Sequence, residues 1–176
     1  MFGLWNKLLT TDCLVIKVSN HFVYPIFRVG STSLIADAEK KYVNHEIENC
    51  THIDILLRDP KERFISGIHE YCRQNDRDVG QICGLVQKGQ LIDRHFAPQY
   101  MWLAHLYRYH EGPVTLRPFE YIKNITDKHK AKNRNKKKKE IDVPQSFVDV
   151  DYCLMKFIGQ RVQLKTLIKE CRHVVS

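Results

Sequence analysis

The sequence predicts an α/β domain with a central, mainly parallel sheet flanked by helices. Three observations carry this expectation. Short runs rich in β-branched and aromatic residues recur between stretches of helix formers. The run His52-Ile53-Asp54-Ile55-Leu56-Leu57 is mostly apolar, as in a parallel strand buried on both faces. Two segments read as a strand, a short loop and a helix start, and each places a cation beside hydroxyls at that junction: Phe27 to Leu34 and Leu57 to Gly67.

The elements follow in order. Leu14 to Val18 reads as a strand, with a turn at Ser19-Asn20. His21 to Phe27 reads as a second strand, and Pro25 marks an edge or an end of it. Gly30 permits a tight turn and a close approach to the backbone. Ser31, Thr32 and Ser33 are N-cap types, and helix formers run from Leu34 to Tyr42. A short connection, Asn44 to Thr51, leads to the strand His52 to Leu57. Asp59-Pro60 starts a turn, and proline suits a first helical position. Lys61 to Gln74 follows as helix, with Phe64, Ile65 and Ile68 on its buried side. Asp78 to Lys88 reads as a helix ended near Gly89, Tyr100 to Tyr109 as an aromatic helix, and Val114 to Phe119 as a strand. Helical spacing assigns Trp102, Leu103 and Leu106 to the core. The chain is read as one domain, with a basic loop at 127–140 and a helical tail at 147–173. No internal repeat is visible.

Composition narrows the classes. With 176 residues and 43% hydrophobic content, the chain is long enough for one real core. It shows no apolar run of transmembrane length, and Met1 to Leu9 is too short and too interrupted to read as a signal peptide. A soluble, cytoplasmic protein is expected. Six scattered cysteines without a CxxC pair read as reduced, mostly buried thiols, and nine histidines show no metal-binding spacing, so no metal is expected. Net charge is +8, and much of it lies in Lys128 to Lys139. No aromatic residue interrupts that run to stack on bases, and no nucleic-acid motif is present, which argues against a nucleic-acid partner.

The two junctions carry the chemistry. A helix start after a glycine turn offers backbone N–H groups and partial positive charge to an anion. Arg28, Val29, Gly30, Ser31, Thr32 and Ser33 form one such site; Arg58 and Ser66 belong to the other, at the carboxyl end of a strand where open α/β sheets bind ligands. Two junctions suggest a ligand with two separate anionic groups. The Walker spacing with its Gly-Lys-Ser/Thr is absent. Taken singly, each junction is also compatible with an ordinary capped helix, Arg58 pairing with Asp59 or Glu62.

The pair resembles the cofactor-gripping segments of sulfotransferases that use 3′-phosphoadenosine-5′-phosphosulfate (PAPS), in particular the carbohydrate sulfotransferases. Their first loop reads Pro-Lys-x-Gly/Ala-x-Thr, and Phe27-Arg28-Val29-Gly30-Ser31-Thr32 is similar, with arginine in place of lysine. Their second reads Arg-Asp-Pro-x-x-Arg-x-x-Ser, which Arg58, Asp59, Pro60, Arg63 and Ser66 match position by position. Asp93 to Gln99 resembles a His-x-x-Pro-Gln element, and Leu116 to Glu120 a later strand ending in Phe-Glu. The resemblance runs from about Phe22 to Glu120.

It implies a P-loop-kinase-like three-layer fold and in-line sulfuryl transfer from PAPS to a hydroxyl or amine of an acceptor, with a carbohydrate expected. Arg28 is then expected to stabilise the leaving phosphate oxygen, Arg28 to Ser33 to hold the 5′-phosphosulfate, and Arg58 with Ser66 to hold the 3′-phosphate. His95 is the first candidate for a general base, because its titration range suits the task. His45 and Glu46 follow, then Glu48, with His69 and Glu70 weaker. Larger relatives insert substrate-binding structure between the two junctions, where this chain has little. Two alternatives stay open: a nucleotide or small-molecule kinase-like enzyme, and a non-catalytic module that binds an anionic polymer.

Overall fold

The computed structural model describes residues 11–129 and 140–174. Among these, six strands form one sheet in the order β3-β1-β2-β4-β5-β6. They are β1 (Leu14–Val18), β2 (His21–Val23), β3 (Lys40–Val43), β4 (Ile53–Leu57), β5 (Pro113–Pro118) and β6 (Arg161–Gln163). Six α-helices accompany them: α1 (Ser31–Ala36), α2 (Pro60–Asn75), α3 (Val79–Gln87), α4 (Gln99–Tyr107), α5 (Gln145–Met155) and α6 (Leu164–Arg172). Short 3-10 turns cover Asn44–Asn49 and Phe119–Asn124.

The sheet is mixed rather than mainly parallel. β2, β4 and β5 run parallel, while β1 pairs antiparallel with both β2 and β3, and β6 antiparallel with β5. The reason is local. Ser19-Asn20 joins β1 to β2 in a turn too short for a crossover, with Ser19 in the left-handed region at φ 52°, so the two strands can only run antiparallel.

Three sequence expectations change. The helix expected to reach Tyr42 stops at Ala36, and Lys40–Val43 becomes an edge strand. The β1 backbone there offers a ladder that helix propensity cannot outweigh. Glu39 N–H donates to Lys17 O at 2.8 Å, and the Tyr42 ring packs edge-on against Phe22. The strand expected to reach Phe27 ends at Val23, because Pro25 has no N–H to continue a ladder; Tyr24 N–H still reaches Asp54 O at 3.1 Å. The tail is two helices separated by a strand. Gly159, at φ 82°, turns the chain so that its N–H meets Leu116 O at 2.7 Å and Arg161–Gln163 adds to the sheet.

The core lies on the sheet and under the helices. Ile53 and Ile55 of β4, Leu116 of β5, Leu103 and Leu106 of α4, Leu154 of α5 and Leu167 of α6 are all fully buried. Phe64 and Ile68 of α2 are buried as expected, with Phe64 edge-on to both Phe96 and Phe147. No helix among the described residues is long and apolar enough to cross a membrane. Because Ile55 sits at the centre of the parallel strands, Ile55→Ala is expected to lower stability by about 2–5 kcal/mol, as a fall in the denaturation midpoint at unchanged slope.

Candidate functional site

β2 and β4 are parallel neighbours, so the loops that follow them leave from the same edge of the sheet. The first loop, Tyr24 to Gly30, is tightly wound. Ile26 N–H donates to Tyr24 O and Val29 N–H to Ile26 O, each at 3.1 Å. Arg28 and Gly30 are both left-handed, at φ 66° and 71°. For arginine this conformation costs on the order of 1–3 kcal/mol, so the surroundings must hold it. Gly30, not one of the hydroxyl residues, is the N-cap of α1, and no side chain caps that turn. A Cβ on Gly30 would fall 2.2 Å from Ile122 Cδ1. Ser31, Thr32 and Ser33 therefore occupy the first helical turn instead of capping it. Val29 is buried and its N–H is used within the loop, so it does not face a ligand.

The second loop joins β4 to α2. Asp59 caps α2 by accepting from Glu62 N–H at 2.9 Å, and Pro60 is its first residue. Arg58 is gripped by its own backbone: its N–H donates to Gln99 Oε1, and its carbonyl accepts from Gln99 Nε2, both at 2.9 Å.

The two loops meet. Arg28 donates to Ser66 Oγ through Nε at 3.1 Å and Nη2 at 2.8 Å, across 38 residues of sequence. Arg58 Nη1 donates to the carbonyl of Arg28 at 3.3 Å. Ser66 is thus paired with Arg28 rather than with Arg58. Glu70, one turn further along α2, stands 3.6 Å from Arg28 Nη1. It also accepts from Arg73 and from Gln74 Nε2. The hydrogen bond from Arg73, with help from Gln74 and Arg28, holds its carboxyl down at about 2 despite burial. Arg58 Nε is buried and has no hydrogen-bond acceptor; the Glu62 carboxylate stops 3.6 Å away.

Arg63, which the sequence supplied only as a motif match, proves to be the organiser. It is 1% exposed. Its Nε donates to Phe27 O at 3.1 Å, and its Nη1 donates to Ala97 O. Burial pulls its pKa down to about 10, with Asp151 opposing, so it stays charged at neutral pH. Asp151 of α5 accepts from the N–H groups of Gln99 and Tyr100 at 2.8 and 2.9 Å. Burial raises its carboxyl to about 6 against the pull of Arg63. A chain of contacts thereby runs from Asp151 through Gln99 to Arg58.

His95 lies beside the first loop. Its ring is 5.6 Å from that of Phe27, the residue before Arg28, and its Nδ1 is 2.5 Å from Asp93 Oδ1. Burial works to raise the Asp93 carboxyl, but hydrogen bonds from the His95 ring and backbone outweigh it and leave the pKa lowered. Gly67 makes this placement possible: a Cβ there would lie 2.2 Å from His95 O. His45 and Glu46 are not brought in. Glu46 accepts from Val43 N–H at 2.8 Å, His45 packs edge-on to Tyr109, and no described contact links either to the two loops.

The root of the basic segment crosses α1. Asp37 accepts from Lys128 Nζ and from Thr126 Oγ1, each at 2.6 Å, and His129 Nδ1 is 3.4 Å from Ser33 Oγ. Lys130, Lys132, Arg134 and Lys136 to Lys139 lie outside the described residues. A cleft of about 900 Å³ opens between the start of α2 and residues 140–145, and of the predicted cofactor residues Arg58 alone lines it.

No family model, curated protein or solved structure matches the chain.

Two outcomes follow from this geometry. Arg63→Leu is expected to cost about 3–5 kcal/mol by chemical denaturation, since it strands two carbonyls and Asp151. Arg63→Lys is expected to recover little, because an ammonium lacks the planar fork that reaches both carbonyls. Glu70, lowered from 4.5 to about 2, favours folding in its ionised form. That contribution is present above pH 4.5 and is lost as pH falls through 2, so Glu70→Gln should flatten this part of a melting-temperature profile.

Proposed function

We propose that the protein is a PAPS-dependent sulfotransferase that moves a sulfuryl group to a hydroxyl or amine of an acceptor, with carbohydrate as the acceptor class. The observation that carries this reading is the meeting of Arg28 and Arg58, from two loops at one sheet edge, with Ser66 of α2. The strand–loop–helix units that deliver them fit a P-loop-kinase-like three-layer architecture.

The donor chemistry suits a ligand with two anionic groups. Arg58 Nε is a buried donor without an acceptor, and an anionic oxygen would satisfy it. Ser31, Thr32 and Ser33 present hydroxyls and first-turn N–H groups without a capping side chain. These, with Arg28, would hold the 5′-phosphosulfate; Arg58 and Ser66 would hold the 3′-phosphate. Bound PAPS would supply the activated sulfuryl group. Arg28, protonated at all working pH values, neutralises charge on the leaving phosphate oxygen and does not act as a general acid. Asp93, which can only accept, requires His95 to donate from Nδ1. That tautomer leaves Nε2 to take the acceptor's proton.

One observation favours a second reading, a binding module for an anionic polymer. The link between β3 and β4 is little more than a 3-10 turn, Asn44–Asn49, where the resemblance implies substrate-binding structure.

Titration calorimetry with 3′,5′-bisphosphoadenosine, ADP and ATP separates the two. The sulfotransferase reading expects clear preference for the bisphosphate. It expects Arg28→Ala and Arg58→Ala each to weaken binding roughly tenfold or more, the effect of removing one charged hydrogen bond. Equal affinity for ADP and the bisphosphate would remove the role given to Arg58 and Ser66. Retained polymer binding in both variants, with no nucleotide binding in the parent, would favour the module. Glu70→Gln should tighten the bisphosphate severalfold, because it removes a carboxylate that competes for Arg28.

A further inference from the structure

We infer that Cys153 and Cys171 form a redox pair that closes reversibly into a disulfide joining α5 to α6. The two sulfurs lie 2.7 Å apart, with Cys171 Sγ placed to donate to Cys153 Sγ. Closing the bond needs an approach of less than about 1 Å, given an S–S length of about 2.05 Å. Both are free thiols in this state.

The environments of the two thiols differ in a way that assigns their roles. Cys153 is partly exposed, while Cys171 is fully buried. Burial, reinforced by the contact with Cys153, pushes the Cys171 thiol well up, so it remains S–H in the reduced protein. Cys153 is therefore the sulfur that meets an external oxidant, and Cys171 the one that resolves the product. With a small-molecule disulfide as oxidant, the Cys153 thiolate attacks one of its sulfurs and expels one thiolate. The first released thiolate takes the Cys171 proton, and the Cys171 sulfur then attacks the Cys153 sulfur and expels the second thiolate. Two protein thiols are oxidised, one external disulfide is reduced to two thiols, and the two protons pass to the released thiolates.

The position gives the bond a consequence. Cys153 lies two residues beyond Asp151, which holds the N–H groups of Gln99 and Tyr100. Cys171 lies three residues beyond Ile168, whose carbonyl accepts from Tyr100 Oη at 3.2 Å. The bond thus clamps the two helices that hold the first turn of α4. This inference is independent of the sulfotransferase reading.

The test uses the full chain equilibrated with oxidised and reduced glutathione at graded ratios, then alkylated, digested and mapped by mass spectrometry. A linked Cys153–Cys171 peptide is expected, with a loss of about 2 Da. The melting temperature should rise by roughly 5–10 °C, because the bond closes a loop of about 20 residues. Both changes should reverse with dithiothreitol. Cys153→Ser should abolish both, and Cys83→Ser should leave both intact. Six alkylated cysteines at the most oxidising ratio, or a link between another pair such as Cys72 and Cys83, would overturn the proposal. If Cys153→Ser does not fold, the peptide map of the parent protein still decides.

Discussion

The buried guanidinium of Arg63 is the constraint on which the site depends. Removing such a charge from water carries a penalty of several kcal/mol, which only well-placed partners offset. Here they are the Phe27 and Ala97 carbonyls and the nearby Asp151 carboxylate. Each partner belongs to a different part of the chain. Phe27 precedes Arg28, so the first loop is fixed; Ala97 follows His95 and precedes Gln99, so the segment that carries both is fixed as well. One side chain on α2 thereby sets the distance between the two loops and the histidine beside them.

The cluster built around that anchor is nearly self-satisfied. Arg28 bonds Ser66 and faces Glu70, while Arg58 bonds the Arg28 carbonyl. An anion arriving here must exchange these contacts for its own, and the Glu70 carboxylate opposes it. In compensation, Arg58 Nε offers a buried donor with no acceptor.

Behind the cluster stands a support made by the C-terminal helices. Asp151 reaches from α5 to the first turn of α4, and the Ile168 carbonyl reaches it from α6. Gln99, the first residue of α4, then clasps the Arg58 backbone on both sides. The geometry of the second loop is thus set, through α4, from helices that lie beyond the basic segment in sequence.

Local chemistry made much of this legible in the chain itself. The Asp59-Pro60 cap, the apolar run of β4, the helical spacing of α2 and α4 and the glycine turn at Gly30 all follow from short-range sterics and hydrogen bonding. So did the placing of Arg28 and Arg58 at one sheet edge, because a strand–loop–helix unit exposes its loop there, with Ser66 on the helix that follows; His95 entered only through the resemblance. The tertiary structure alone decided what depends on distant partners. Lys40–Val43 became strand because β1 offered a ladder, and the tail broke at Gly159 because β5 had an open edge. Ser66 went to Arg28 because the left-handed turn at residue 28 aims the guanidinium at α2, and Val29 was buried by the same turn. His45 and Glu46 stand apart from the loops because β3 is the outermost strand, with β1 between it and β2, and they are engaged by Tyr109 and by the Val43 N–H. The role of Arg63 was hidden for the same reason: a buried cation is recognised by the carbonyls that surround it, and these come together only when the chain is folded.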